Sequence, residues 1–278
     1  MAKSLPESLA AALQAYKNAV PRRARLLDLA GEVLAVLAAA APPTSPPPTA
    51  AERQDAAVRA ATGRLLWEKP PIQGQVVPEL FRQLLSVFQD FALLPPLSEP
   101  VLAEFLATPP ETWLSAPELI VQWATTRQFP ETLLVFIGQL ALSPFYQAAS
   151  APYKDLWSQG KWVHPFCPSC GREPSFALIL PESGQRQLHC RLCDVTWAGP
   201  DRQTCIFCGQ QNSQAEYLFL EDDPARRAEL CQVCQRHLKS IVLQNLPHAL
   251  CLPLEAFVGV DLELSLLIQQ SESGRSNL

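Results

Sequence analysis

The fold is decided by residues 167–234, which read CPSCGREPSFALILPESGQRQLHCRLCDVTWAGPDRQTCIFCGQQNSQAEYLFLEDDPARRAELCQVC. This stretch holds eight of the nine cysteines of the 278-residue chain. Two thiolates separated by two residues can bind one ion when the backbone turns tightly around it. The spacing therefore predicts a metal role for four Cys-x-x-Cys pairs, which are Cys167/Cys170, Cys190/Cys193, Cys205/Cys208 and Cys231/Cys234.

The intervals between the pairs indicate how the pairs are grouped. Nineteen residues separate the first pair from the second, and 22 separate the third from the fourth. Residues 175–180 and the turn at 181–184 are typical of a hairpin that carries the second pair back beside the first. Residues 217–220 would be the outgoing strand of a similar plan, with a turn at 222–224. We expect two successive ribbon modules, each closing one tetrahedral four-sulfur site, although an interleaved grouping stays open.

The chemistry of four thiolates limits what such a site can do. A small residue after the second cysteine helps the turn to close, and Gly171 and Gly209 occupy that position after the first and third pairs. Four thiolates in a tetrahedron suit zinc or a single iron ion, and geometry alone does not separate them. A site with all four positions filled has no place for water or substrate, so it does no hydrolysis. An iron ion held in this way could still pass one electron.

The remaining cysteine and the histidines are weaker candidates. His189 adjoins one cysteine pair and His237 follows another, but eight cysteines already make two complete ligand sets. Cys251 lies among apolar residues and is expected to be a small buried filler. His164 and His248 are interpreted as ordinary surface or interface side chains. The sequence contains no glycine-rich phosphate loop and no nucleophile elbow, which argues against an enzyme.

The first half of the chain has the pattern of a helical domain. Apolar residues recur at three-and-four spacing, and strand-like alternation is absent. A proline cluster at residues 42–49 is expected to be a stiff connector. A further helix is predicted at residues 253–270, before a polar tail at 271–278. The predicted helices in the first half cover residues 22–41, 50–62, 77–93, 101–106, 112–123 and 130–146.

The predicted fold class is α+β and multidomain. An all-α domain at residues 1–155 is followed by metal modules at 156–200 and 201–245, and by a C-terminal helix and tail at 246–278. The chain is expected to be cytoplasmic, because the N-terminus does not resemble a signal peptide. In the cytosol thiols stay reduced, so the cysteines are expected to be metal ligands rather than disulfides. The apolar run at residues 132–145 is interrupted by Gly138 and Pro144, so no membrane insertion is expected.

The residues around the cysteines carry a family resemblance as well as a metal pattern. The resemblance lies in four stretches, which are CPSCGREP at 167–174, RQLHCRLC at 186–193 followed by Thr196 and Trp197, RQTCIFC at 202–208, and AELCQVC at 228–234 followed by His237. In the residues between the cysteines and in their spacing, these stretches resemble the FdhE family, the formate dehydrogenase accessory proteins. The similarity covers about residues 150–245, and the helical half is similar only in general layout.

The resemblance implies a function and a cofactor. It implies a cytoplasmic protein that binds the catalytic subunit of a molybdenum- or tungsten-containing formate dehydrogenase and helps it to mature. It also implies rubredoxin-like iron centres on the cysteine pairs. The chain differs from the family after the fourth pair, where an acidic segment is replaced by HALCLPLE at residues 248–255.

Two other functions are compatible with ribbon modules. A zinc ribbon can bind nucleic acid, but residues 151–245 hold 10 basic and 10 acidic side chains, and phosphate binding requires clustered positive charge. The net charge of the chain is -5, which also disfavours a polyanionic partner. A rubredoxin-like electron-transfer protein would require a reversible iron couple. An accessory protein that carries two metal ions and catalyses no reaction of its own is the interpretation that we prefer.

Overall fold

The computed structural model of the protein describes residues 5–40, 47–67, 76–110, 112–158, 162, 164–211, 216–220, 222–259 and 262. Its helices are α1 (Glu7–Ala19), α2 (Ala24–Ala39), α3 (Ala50–Ala61), α4 (Val77–Asp90), α5 (Glu99–Leu106), α6 (Thr112–Ser115), α7 (Pro117–Thr126), α8 (Glu131–Ser150), α9 (Lys154–Ser158) and α10 (Leu252–Val258). Its strands are β1 (Phe176–Ile179), β2 (Arg186–Cys190), β3 (Val195–Ala198), β4 (Glu216–Leu220), β5 (Asp223–Leu230) and β6 (His237–Val242). Helices precede the strands and one helix follows them, which confirms the predicted fold class.

The helical region is built around amphipathic helices whose apolar stripes face inward. In α4 the side chains of Leu80, Phe81, Leu84 and Phe88 are all buried, and they recur at the spacing of one helix face. The ring of Phe81 lies 5.0 Å from the ring of Trp113, at the centre of an aromatic cluster. Burying each such side chain contributes about 1.5–3 kcal/mol, so this interface is a main source of stability.

The strands form a single sheet of order β3-β2-β1-β6-β5-β4. Neighbouring strands are antiparallel except at the centre, where β1 and β6 run parallel and Ala177 lies opposite Ser240. The three strands on one side come from the first predicted module, and the three on the other side come from the second. The sheet therefore crosses the predicted boundary at residue 200, and the division into domains stays a prediction.

Helix α8 continues through an internal proline. Pro144 lies inside it and lacks the N–H that would bond the carbonyl of Leu140. The hydroxyl of Ser143 donates to that carbonyl at 2.8 Å, so the helix continues through the proline. The described stretch Glu131–Trp157 is long and apolar enough to cross a membrane by length and composition, and 56% of its most apolar window is buried. A helix in the core of a soluble protein meets the same criterion.

Several predicted helix boundaries differ from the observed ones. The helix expected at residues 112–123 is two helices, α6 and α7, because Ala116 precedes Pro117 and takes a non-helical backbone conformation. Helix α8 begins at Glu131, one residue after the predicted start, with Pro130 as its N-cap. Helix α10 begins at Leu252. Much of the predicted helix at 253–270, the tail at 271–278 and part of the proline cluster lie outside the described residues.

Candidate metal centres

The eight predicted ligands come together as two groups of four. Cys167, Cys170, Cys190 and Cys193 form the first centre, and Cys205, Cys208, Cys231 and Cys234 form the second centre. Within each group the sulfur atoms all lie within 4.8 Å of one another. The structure thus adopts the sequential grouping rather than the interleaved one. Each group could hold one metal ion.

The sulfur positions fit a tetrahedral ion. A metal–sulfur bond of about 2.3 Å places the four sulfurs about 3.8 Å apart. The sulfurs of Cys170 and Cys190 are separated by 3.7 Å in the first centre. Those of Cys208 and Cys231 are separated by 3.8 Å in the second. A disulfide requires about 2.05 Å, and all nine cysteines are free thiols, so the donor sets match four-thiolate metal sites.

Both centres are built on the same plan. One Cys-x-x-Cys turn, which we call a knuckle, precedes the first strand of a module, and the other joins its second strand to its third. In the first module Phe176 of β1 lies opposite His189 of β2, so the hairpin returns the chain to Cys190 beside the first knuckle. In the second module Leu230 of β5 lies opposite His237 of β6, on either side of the fourth knuckle.

Each knuckle turns through a left-handed residue directly after its second cysteine. That residue is Gly171, Asp194, Gly209 or Gln235, with φ between +51° and +73°. In the first knuckle the N–H of Gly171 donates to the carbonyl of Cys167 at 2.9 Å, and Gly209 and Gln235 make the corresponding bonds. Glycine adopts this conformation freely, whereas other residues are strained in it. The two glycine positions could be predicted from the sequence, whereas Asp194 and Gln235 gave no such indication.

Replacing Gln235 by glycine is expected to stabilise the second module by about 1 kcal/mol, because it relieves left-handed strain. Replacing Gly209 by alanine, which introduces the same strain at φ +71°, is expected to cost a similar amount. Thermal unfolding of the metal-loaded protein measures both. Equal shifts of the unfolding temperature in the same direction for both variants would show that backbone strain does not control the stability of these turns.

The thiol pKa values in each centre are driven apart. Hydrogen bonds from three neighbouring thiols lower the pKa of Cys190 well below its usual value. Burial raises the pKa of Cys167 and of Cys193. In the second centre burial opposes ionisation of Cys231, but backbone N–H groups bring its pKa down to about 7, while burial raises that of Cys234 to about 12. Only thiolates are metal ligands, so metal binding displaces the protons that remain.

The histidines beside the pairs lie outside the ligand sets. Of the described residues, neither His189 nor His237 belongs to a four-cysteine group. His189 is buried, and its Nδ1 lies 3.3 Å from the hydroxyl of Thr196. Burial lowers the pKa of His189, which favours a neutral ring. His237 is the first residue of β6.

The other candidate side chains have packing roles. Cys251 is partly buried directly before α10, and its N–H donates to the hydroxyl of Tyr16 at 2.9 Å. The ring of His248 lies 3.7 Å from that of Tyr16. The ring of His164 stacks on that of Phe166 at 5.1 Å. The two contacts with Tyr16 join the chain that follows the second module to α1.

A buried ionic network, which no sequence pattern indicates, joins the helices to the second module. The guanidinium of Arg226 forms two hydrogen bonds with the carboxylate of Glu255, at 2.7 and 2.8 Å. The Arg226 guanidinium also donates to the carboxylate of Asp223 at 3.0 Å. Arg23 donates to the Asp223 carboxylate as well, at 2.7 Å. The hydroxyl of Tyr16 donates to Glu255 at 2.7 Å. Two positive and two negative charges therefore balance in a site that is almost closed to water.

These features define a class of protein: a helical body joined to one sheet that carries two four-cysteine ribbon groups. No model of a known protein family matches the chain. Over 137 residues it is 33% identical to a protein FdhE homolog of Pseudomonas aeruginosa, a match that covers 40% of this chain and 43% of the relative. Over 85 residues it is 35% identical to protein FdhE of Escherichia coli, covering 30% and 27%.

The match to a protein FdhE homolog of Shewanella oneidensis is 32% identical over 83 residues, covering 29% of this chain and 27% of the relative. Each of these matches thus spans less than half the length of the relative. A crystal structure of the FdhE protein from Pseudomonas aeruginosa superimposes with a TM-score of 0.59 and 20% identity, over 92% of this chain and 90% of that one. The chain has the fold of FdhE, and the resemblance to the FdhE family is confirmed.

Proposed function

We propose that this chain is an accessory protein for the maturation of a formate dehydrogenase. It acts in the cytoplasm, binds the catalytic subunit of that enzyme, and catalyses no reaction of its own. The observation that carries the proposal is the pair of complete four-cysteine groups held in the fold of an FdhE protein. The eight grouped cysteines are its metal ligands, and it carries two metal ions.

The ligand sets favour a binding role over a catalytic one. Four cysteines fill the coordination sphere of each ion, which leaves no position for a substrate. Iron in these sites would supply a one-electron couple, whereas zinc would supply only structural stability. In either case the knuckle backbone holds the sulfurs, and the sheet joins the two centres to the helical body.

The proposal is tested by supplying variants to cells that make the formate dehydrogenase but lack this protein. The wild-type chain is expected to restore active enzyme, and Cys231→Ser is expected to restore far less because the second centre loses a ligand. Cys251→Ser is the matched control, since Cys251 belongs to neither group. Binding of the purified catalytic subunit to the wild-type chain is measured in parallel by calorimetry.

Two results would contradict the proposal. Full enzyme activity in cells without the chain would show that maturation does not require it. Lack of binding between the purified chain and the catalytic subunit would remove the proposed partner. Elemental analysis of the chain purified without oxygen then identifies the metal, and an absorption spectrum checks it, since iron–thiolate sites absorb visible light and zinc sites do not.

A further inference from the structure

The two centres have the same ligands but different surroundings. In the first centre Cys167, Cys190 and Cys193 are at most 1% exposed, and Cys170 is partly buried. In the second centre two of the four cysteines, Cys208 and Cys234, are partly exposed. Two ligands therefore reach solvent in the second centre, against one in the first.

The first centre is covered by a segment from the helical region, residues 64–67. The N–H of Leu66 donates to the carbonyl of Pro168 at 2.8 Å, and that of Trp67 donates to the carbonyl of Ser169 at 3.3 Å. These carbonyls belong to the two residues between the cysteines of the first knuckle. The segment is thus hydrogen-bonded along the outer side of this turn.

Leu65 completes this cover. A Cβ placed on Gly171 would lie 2.8 Å from the Cδ1 atom of Leu65, so the Leu65 side chain packs directly against the first knuckle. The other side of the centre faces α8, where Tyr146 is 4% exposed. Burial, together with the charges of Cys170 and Cys193, raises the pKa of Tyr146 above its usual range. Helical residues therefore enclose this centre from two sides.

The second centre lacks a comparable cover among the described residues. A Cβ on Gly209 would have no described atom within 4 Å, although its backbone conformation matches that of Gly171. Val233, between the cysteines of the fourth knuckle, is 63% exposed. Beside the third knuckle, the guanidinium of Arg236 lies 3.8 Å above the Phe207 ring and is itself half exposed.

We propose that the second centre is the site at which this protein exchanges metal with small thiol or chelating ligands, while the first centre is closed and structural. The inference rests on the proposed metal binding. An incoming donor atom replaces one cysteine thiolate on the ion, and the displaced thiolate takes a proton from water. At the second centre this requires no change of fold. At the first centre the segment 64–67 must open beforehand, and that local opening costs free energy.

The test uses the full chain loaded with two zinc ions and the chromogenic chelator pyridylazoresorcinol. We expect one ion to be released at least about tenfold faster than the other, since only the second ion is reached without local opening. Alkylation of the same samples, followed by peptide mass mapping, is expected to label Cys208 and Cys234 during the fast phase. This mapping uses the wild-type chain and does not depend on how any variant folds.

A matched pair of variants tests the cover. Leu65→Ala is expected to speed the slow phase several-fold and to leave the fast phase unchanged, since Leu65 contacts the first knuckle. Leu93→Ala removes an exposed leucine far from both groups in sequence and is expected to change neither phase. Release of both ions in a single phase, or early labelling of Cys167 and Cys193, would overturn this inference and would leave the proposed function unaffected. A chain that binds no metal would instead overturn the proposed function and this inference with it.

Discussion

Replacing Cys190 by serine is expected to remove one metal ion per chain and to unfold the first ribbon module. Cys190 is the last residue of β2 and is 1% exposed, so water cannot replace its sulfur without disrupting the strand. A structural four-thiolate zinc site contributes apparent binding energy of about 10–16 kcal/mol, which far exceeds the usual net stability of a domain. The measurements are metal content by elemental analysis and thermal unfolding by circular dichroism.

Double variants sharpen this prediction because they report the grouping. Cys167→Ser combined with Cys190→Ser is expected to lose no more metal than either single variant, since both residues belong to the first centre. Cys190→Ser combined with Cys231→Ser is expected to lose both ions. Cys251→Ser, the control, is expected to keep two. Loss of both ions from the double variant Cys167→Ser with Cys190→Ser would indicate an interleaved grouping instead.

Replacing Glu255 by glutamine is expected to cost about 3–5 kcal/mol of unfolding free energy. The substitution is nearly isosteric, but it leaves a net positive charge in a network where Arg226 and Glu255 are at most 5% exposed. Removing one partner of a buried pair is strongly destabilising because the other charge stays buried without compensation. Chemical denaturation of the metal-loaded protein measures the effect.

Two further variants separate charge balance from loss of contact. Glu99→Gln removes one partner of an ion pair with Arg82 in which the carboxylate is 72% exposed, so it is expected to cost less than about 1 kcal/mol. Arg226→Met combined with Glu255→Gln restores neutrality and is expected to be more stable than Glu255→Gln alone. A double variant as unstable as the sum of its single variants would show that net charge is not the cause.

Much of the secondary structure could be predicted from local pattern. The buried residues of α4 and α2 recur at helical spacing. Strand β1 lies within the predicted strand at residues 175–180, and β4 covers the predicted strand at 217–220 with one residue more. The break at Ala116 was missed because apolar spacing continues across it, although Pro117 was a visible indication. The helix predicted at residues 130–146 runs across Pro144 and is confirmed there, because Ser143 compensates for the missing N–H through a hydrogen bond that propensity does not describe.

The metal groups could be predicted because their geometry is mostly local. A Cys-x-x-Cys turn places two sulfurs by itself, and a hairpin of 19 residues returns the next pair to the same place. The left-handed positions at Asp194 and Gln235 were missed, since glycine is the usual indication of that conformation. At these two positions the turn holds a non-glycine residue in the left-handed conformation, which such residues rarely adopt.

The sequence by itself indicated a helical half, strand segments between the cysteine pairs and eight metal-binding cysteines, because each depends on residues that are close along the chain, whereas the structure decided how the four pairs are grouped. Only the tertiary structure decided the parallel pairing of β1 with β6, the cover of residues 64–67 on the first centre, and the network around Arg226. Tyr16 and Glu255 are 239 residues apart, and no periodic pattern connects them. Such contacts follow from how the elements pack together, since burial brings distant charges close and then requires that they be paired.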